Sequence, residues 1–260
     1  MAPGTRLFHR RATGVDVTPE ANELGRRLKL AGQEIEMGLR ELDEARGVES
    51  GEIILGTLPY GGSMLLASVL DEFTQRYGKT LVRIVTEGAN EMMHRLRFGD
   101  VDLVVGIIQE TENSDLDNMA FAHTQFRIVG RKGHPLTGRA EVGLEELASY
   151  DWIIGLEGSS RRACFDTLFA RHALPKAPLA ISTLSIIRQL MADSDRLTLM
   201  TTYELRHESH ALTDIRFPSV PGRPAVGITT RKGWLPTQIH RDFIHMVRRQ
   251  VQDDENVHAS

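Results

Sequence analysis

The stretch Leu81–Ile107, LVRIVTEGANEMMHRLRFGDVDLVVGI, constrains the fold more than any other part of the chain. Leu81–Val85 is a short β-branched run, and Ala89–Phe98 carries Met92, Met93 and Leu96 at helical spacing with Gly99 as a stop. Val101–Ile107 is a nearly continuous apolar run, as in strands buried on both faces of a helix-covered parallel sheet. The stretch therefore reads as a β-α-β unit. Its turn Glu87-Gly88-Ala89-Asn90 lies between strand end and helix start, where exposed backbone N–H groups meet ligands in open α/β sheets. Any β-α-β unit would satisfy the spacing, so it names no function.

Glu52–Thr57 predicts a preceding strand, followed by the loop Leu58-Pro59-Tyr60-Gly61-Gly62 and a helix from the cap Ser63 to Tyr77. Together these give the β-α-β-α-β start of a doubly wound sheet. Gln109–Asn118 reads as an acidic surface loop. A second set follows: strand Trp152–Ile154, turn Glu157–Ser160 opening a helix through Ala173, strand Leu179–Ser182, helix Ser185–Ala192 and strand Leu197–Thr201. Ile128–Thr137 (IVGRKGHPLT) and Ile228–Thr237 (ITTRKGWLPT) echo each other, each a strand feeding Arg-Lys-Gly, a ring and a proline turn. The echo suggests strands that enter and leave an inserted unit at similar points. Helix Ile239–Val247 would return to the first unit, and Asp253–Ser260 reads as a frayed tail. Two lobes joined by two strands form a cleft. The helix starts Gly62-Ser63, Ala89-Asn90 and Ser159-Ser160 would face it, favouring an anionic or hydroxylated ligand. Each serine also fits an ordinary N-cap.

Ahead of the lobes, Thr18-Pro19-Glu20 starts a helix that runs to about Arg46, with Gly47 as its stop. Leu24, Leu28, Ala31, Ile35, Gly38, Leu42 and Ala45 form a heptad stripe that calls for a partner helix; packing on its own domain is the alternative. Gly25, Gly32 and Gly38 each cost roughly 1 kcal/mol against alanine.

With 260 residues, 41% of them hydrophobic, the chain can bury one large core or two modest ones. The net charge of −4 argues against a protein that is basic overall, and a single Cys164 excludes an internal disulfide. With no secretory region and no membrane-length apolar stretch, a cytoplasmic location is expected and no membrane partner. No phosphate loop, dinucleotide fingerprint, metal motif or nucleophile elbow is present, so we expect no cofactor, no metal and no catalysis. His207 and His210 in RHESH read as a solvated loop.

Leu7-Phe8-His9-Arg10, Gly14-Val15 and Val17-Thr18 resemble the last winged-helix strand and linker start of the LysR-type transcriptional regulators. Gly51–Thr57 with Pro59, Glu87-Gly88 through Leu96, Gly99, Asp102 and Leu103, and then His134-Pro135-Leu136, Leu144–Leu147 and Trp152-Ile153 resemble that family's effector-binding region. The resemblance implies an α/β fold of two Rossmann-like subdomains of the type 2 periplasmic-binding-protein class, preceded by a long linker helix. The implied division is 1–17 as a winged-helix remnant, 18–47 as linker helix, 51–130 plus 229–250 as subdomain I, 131–228 as subdomain II, and 251–260 as a disordered tail. The family's helix-turn-helix is expected to be missing. DNA would then be a partner only if that domain were supplied, with Arg6, Arg10 and Arg11 touching phosphate. Around Met191–Leu205, where many members carry Gly-x-Gly and a proline, this chain has Ser194-Asp195-Arg196 and Thr201-Thr202.

Carried over by position, an effector pocket would be lined by Tyr60, Gly61, Gly62, Ser63, Gly88, Ala89, Asn90, Gly158, Ser159 and Ser160, with Thr201 and Thr202 near its mouth. Arg161 would neutralise an acidic ligand or lie exposed on its helix. Leu24, Leu28, Ala31, Ile35 and Leu42 would pair subunits into a homo-oligomer, a dimer or a tetramer. The expected function is effector sensing for a DNA-binding regulator. A freestanding binding module or an inhibitory partner is the alternative, and an enzyme on the same fold is the third reading.

Overall fold

The computed structural model describes residues 4–11, 13–45, 51–59, 62–109 and 115–256. An exposed hairpin, β1 (Phe8–Arg11) with β2 (Gly14–Val17), opens the chain. The Thr18 hydroxyl accepts Ala21 N–H at 3.2 Å and donates to Leu7 O at 3.1 Å, capping the 27-residue helix α1 (Pro19–Ala45) and tying it to the hairpin. The expected stop at Arg46-Gly47 lies outside the described residues.

Two five-stranded sheets follow. Lobe I contains β3 (Glu52–Thr57), α2 (Gly62–Arg76), β4 (Leu81–Thr86), α3 (Ala89–Arg97), β5 (Leu103–Ile107) and β6 (Leu116–His123). Lobe II contains β7 (Phe126–Arg131), α4 (Leu144–Ala148), β8 (Trp152–Ile154), α5 (Ser160–Leu168), β9 (Leu179–Ala180), α6 (Leu184–Ala192), β10 (Leu197–Thr201), α7 (Thr202–Glu208) and β11 (Leu212–Ile215). The chain then returns to lobe I as β12 (Ala225–Arg231) and α8 (Gln238–Asn256).

The sheet orders are β4-β3-β5-β12-β6 and β9-β8-β10-β7-β11. In each, three parallel strands are followed by an antiparallel strand from the other end of the lobe's chain segment, then by an edge strand. The two lobes thus share one plan, with β7 in the place of β12 and α6 in the place of α3. Lobe I buries one sheet face under α2 and α8, where Phe73 meets Phe243 edge-on at 5.3 Å. Its other face is sealed by Met92, Met93 and Leu96 of α3. Lobe II is sealed by Phe165, Leu168 and neighbours of α4 and α5 on one face, and by Ile187 and Met191 of α6 on the other.

Several expectations need correction. The boundaries at 130/131 and 228/229 fall inside or at the ends of strands: β7 pairs along its length with β10 and β11, and β12 with β5 and β6. The ladders set the true crossings, near Thr124–Gln125 and Pro224, where Thr124 N–H donates to Pro224 O at 2.9 Å. The loop expected over Gln109–Asn118 ends in strand β6, whose Leu116 and Ala122 are buried. The helix expected from Ser63 begins at Gly62. The tail expected to be disordered over 251–260 and frayed from Asp253 continues as helix to Asn256, with Val251 fully buried. His207 lies in α7 rather than in a loop; both it and His210 are exposed.

Helix α1 has two contrasting faces. One docks on lobe I: Met37 enters the core cluster that holds Trp234, Lys29 pairs with Asp100, and the Gln33 amide donates to Gly99 O at 2.5 Å. A Cβ at Gly99 would run into the Gln33 side chain, so this approach requires glycine. The other face leaves Leu24, Leu28, Ile35 and Leu42 exposed, Leu28 at 64% and Ile35 at 67%. The helix therefore packs on its own lobe, but through residues outside the heptad stripe, and Leu24, Leu28, Ile35 and Leu42 form an exposed apolar seam.

Candidate effector cleft

The lobes meet over a cavity of about 270 Å³. Lobe I contributes Leu58, Pro59 and the start of α3, Gly88-Ala89-Asn90-Glu91; lobe II contributes Gly155 through Glu157 and the start of α5, Ser159-Ser160-Arg161. Helix α3 begins at Gly88, which has no side chain to cap it, leaving the first-turn N–H groups free of a side-chain acceptor. Helix α5 begins at Ser159, whose hydroxyl accepts Arg162 N–H at 3.2 Å. Two partial positive charges from opposite lobes thus border one space. Gly158, at φ +77°, lets its turn come against Asn90 across the cleft: a Cβ there would sit 3.0 Å from the Asn90 amide nitrogen.

Of the expected pocket residues, Gly88, Ala89, Asn90, Ser159 and Ser160 line this cavity, and Gly158 lies beside it, lining an adjoining open depression. Tyr60, Gly61 and the side chain of Ser63 lie outside the described residues, and Gly62 is described only as the first residue of α2. Thr201 and Thr202 do not line the cavity. Thr201 caps α7 through a capping box with Glu204, and the Thr202 hydroxyl meets Thr124 Oγ1 at 2.9 Å beside the crossing strands. Phe126, Leu156, Ile107, Gln109 and Ser182 line the cavity without having been expected. Phe126 and Gln109 sit at the inter-lobe passage, which sequence periodicity could not locate.

Arg161 fits neither expectation. It is 5% exposed, and its guanidinium donates to both Glu204 carboxylate oxygens, at 2.8 and 2.9 Å, and to Leu199 O. Glu204, fully buried, also accepts Thr201 N–H at 2.7 Å. The pair clamps α5 to β10 and α7 beneath the cleft. Among the described lining residues it supplies the only cation, already matched by a carboxylate, while Glu91 and Glu157 add negative charge at the rim. A bound anion would therefore have to be met by helix N-termini rather than by a spare arginine.

Cys164 lies just below this surface. Burial pushes its thiol up to about 12, against a smaller opposing pull from Arg161, and the thiol donates to Pro221 O at 3.2 Å. It stays protonated at neutral pH, which suits a packed thiol rather than a reactive one.

A LysR substrate binding domain is recognised over residues 46–252, and the chain belongs to that family, a family of regulatory domains rather than enzymes. Its two lobes have the type 2 periplasmic-binding-protein fold. The chain is 28% identical over 257 residues to the HTH-type transcriptional regulator GalR of Pseudomonas putida, covering 96% of this chain and 64% of GalR. It therefore spans less than two thirds of that relative. Its fold resembles the Synechocystis PCC6803 CcmR regulatory domain in complex with 2-PG, with TM-score 0.68 and 21% identity over 77% of this chain and 97% of that one. It also resembles the QuiR effector binding domain in complex with shikimate, with TM-score 0.65 and 17% identity over 78% of this chain and 98% of that one. No described helix is long and apolar enough to cross a membrane.

Proposed function

We propose that this chain is the effector-sensing and oligomerising part of a LysR-type DNA-binding transcriptional regulator, taking a small hydroxylated metabolite into the inter-lobe cleft. The observation that carries this reading is the convergence of the α3 and α5 starts, from opposite lobes, on one cavity of about 270 Å³. That volume lies near the lower end of ligand pockets, about 300–1,000 Å³, and suits a single ring. The faces offered by Leu58, Ile107, Phe126 and Leu156 suit the ring, and Asn90, Gln109, Ser159, Ser160 and Ser182 suit its hydroxyls. A lone carboxylate on that ring would be held at the uncapped start of α3. Ring-bearing shikimate in QuiR supports the reading by analogy of fold.

Ligand that bridges Asn90 and the Gly158 turn stabilises the closed lobes, and the population shifts only by as much as the ligand prefers that state. The exposed seam of α1 pairs subunits, as a dimer or within a tetramer. DNA contact belongs to the family's helix-turn-helix, with exposed Arg6 and Arg10 of the hairpin region limited to phosphate; Arg11 is already paired with Asp16.

Calorimetry against hydroxylated aromatic acids, sugars, sugar acids and sugar phosphates tests the cleft. For any ligand found, Asn90→Ala should weaken binding about three- to tenfold at unchanged melting temperature, the value of one hydrogen bond. Ser159→Ala should weaken it similarly while also lowering the melting temperature by the loss of its α5 cap. Undiminished binding in both variants would show that the ligand sits elsewhere. On the same preparations, Leu28→Glu with Ile35→Glu should give monomers by light scattering, and an unchanged oligomer would refute the seam.

A further inference from the structure

The shared plan of the lobes exposes a local difference. In lobe II the Arg131 and His134 side chains of the turn after β7 are satisfied internally. Arg131 pairs with the Asp195 carboxylate at 2.7 Å, and both His134 nitrogens have partners: Nε2 donates to Asp195 O, and Nδ1 accepts Leu136 N–H, each at 3.1 Å. The equivalent turn after β12 in lobe I has Arg231 and Trp234 in the corresponding places. Asp195 stands two residues before β10; two residues before β5 stands Val101. The carboxylate is missing. Arg231 turns instead to two carbonyls, donating to Leu96 O at 3.1 Å and Val101 O at 2.9 Å.

This turn borders a cavity of about 280 Å³ between lobe I and α1. Arg26, Arg97, Arg231 and Lys232 line it against only Glu34 and Asp115, in a chain whose net charge is −4. Arg26 is held by Glu23 and Arg97 by Asp115, but the Lys232 ammonium has no ion pair among the described residues. Trp234 is 9% exposed, and its indole N–H has no acceptor among the described residues; Arg97 Nη2, also buried, has none among them either. An unmet buried donor is destabilising, and more so when the group is charged. Arg231 has its two carbonyl acceptors but no carboxylate against it, and burial holds its pKa below the ordinary value despite the nearby charges of Asp102 and Glu34.

We propose that this cavity is a second ligand site, binding a small oxyanion that supplies the acceptor Asp195 provides in lobe II and pins α1 to lobe I. The oxyanion takes charge-assisted hydrogen bonds from Lys232 and Arg97. The two unmet nitrogens are shielded from solvent, so it reaches them through small rotations of Arg97 and Trp234, both already at the cavity wall. Because α1 contributes Arg26 and Glu34 to the same wall, occupancy ties the linker helix more firmly to lobe I. The site does not depend on what the inter-lobe cleft holds.

The chain carries two tryptophans, of which Trp152 is fully buried in the lobe II core, so Trp152→Phe isolates the Trp234 signal. Inorganic phosphate titrated at constant ionic strength should change that fluorescence saturably, with a midpoint on the order of 1 mM. Lys232→Gln and Arg97→Gln should each weaken it about tenfold. If Trp152→Phe does not fold, calorimetry on the otherwise unaltered chain makes the same comparison. Parallel arms with sulfate and acetate separate a tetrahedral oxyanion from a carboxylate, and a saturable response to any of the three that both variants weaken supports the site. Responses no different from chloride, or unchanged in both variants, overturn it. Hydrogen exchange along α1 should slow with the anion bound; unaltered exchange overturns the pinning.

Discussion

Lobes I and II are two versions of one topology, and they differ in where their polar groups find partners. Lobe II meets the polar groups of its β7 turn and of its cleft floor from within: Arg131 with Asp195, both nitrogens of His134, and the buried Arg161–Glu204 pair, although Arg196 Nε and Glu208 Oε2 have no hydrogen-bond partner among the described residues. Lobe I reaches outward, giving Asp100 and Gly99 O to the linker helix and leaving Trp234 Nε1 and Arg97 Nη2 without acceptors among the described residues. One plan has thus yielded one jaw whose β7 turn is tied down from within and another on which the linker helix docks. The difference lies in a few side chains at equivalent turns, not in the arrangement of strands.

The largest expected effect tests the internal economy of lobe II. Glu204→Ala leaves Arg161 buried without its carboxylate and should cost about 3–5 kcal/mol in urea denaturation. Asp100→Ala in lobe I removes a pair whose side chains are 44% and 38% exposed, and should cost less than about 1 kcal/mol. Equal losses would break the comparison.

A smaller effect concerns acid. Burial lowers the pKa of His134 in the fold, outweighing its hydrogen bond to Asp195 O and the Asp195 charge, and the nearby Arg131 charge lowers it further. The unfolded chain therefore binds that proton first, at its ordinary pKa of about 6.5. His134 contributes its stability above that value, and the contribution fades as pH falls toward the lower folded pKa. The melting temperature should drop between about pH 7 and pH 5, and His134→Gln should shrink that drop. A drop of the same size in His134→Gln would remove the acid response from lobe II.

Much of this was legible in the sequence because the signals were local. The turns Gly88–Asn90 and Gly158–Ser160 announce themselves by small residues between an apolar run and a helix, and they line or border the cleft. The cap Thr18 and the two-faced linker were legible for the same reason. The crossing points were not, because β7 and β12 are apolar strands that look alike whichever sheet they join. Helix α7 hid behind the exposed histidines of RHESH, although Thr201 and Glu204 at capping-box spacing were a usable sign. Arg161 looked like a surface residue or a ligand partner, since its true partner lies 43 positions away. The RKG echo was legible as a repeat, but its meaning required the sheets: it marks the same strand position in both lobes.

The paired crossings also set an order of assembly. Thr124 and Pro224 are hydrogen-bonded neighbours, so all of lobe II hangs from lobe I as an insert whose two ends meet. A growing chain that has reached about residue 224 carries every strand of lobe II, while lobe I still lacks β12, which lies between β5 and β6, and α8, which covers one face of its sheet. The lobe that begins second is expected to be finished first. Limited proteolysis of nascent chains arrested just past that length should find lobe II protected and lobe I open, and the reverse pattern would overturn this order.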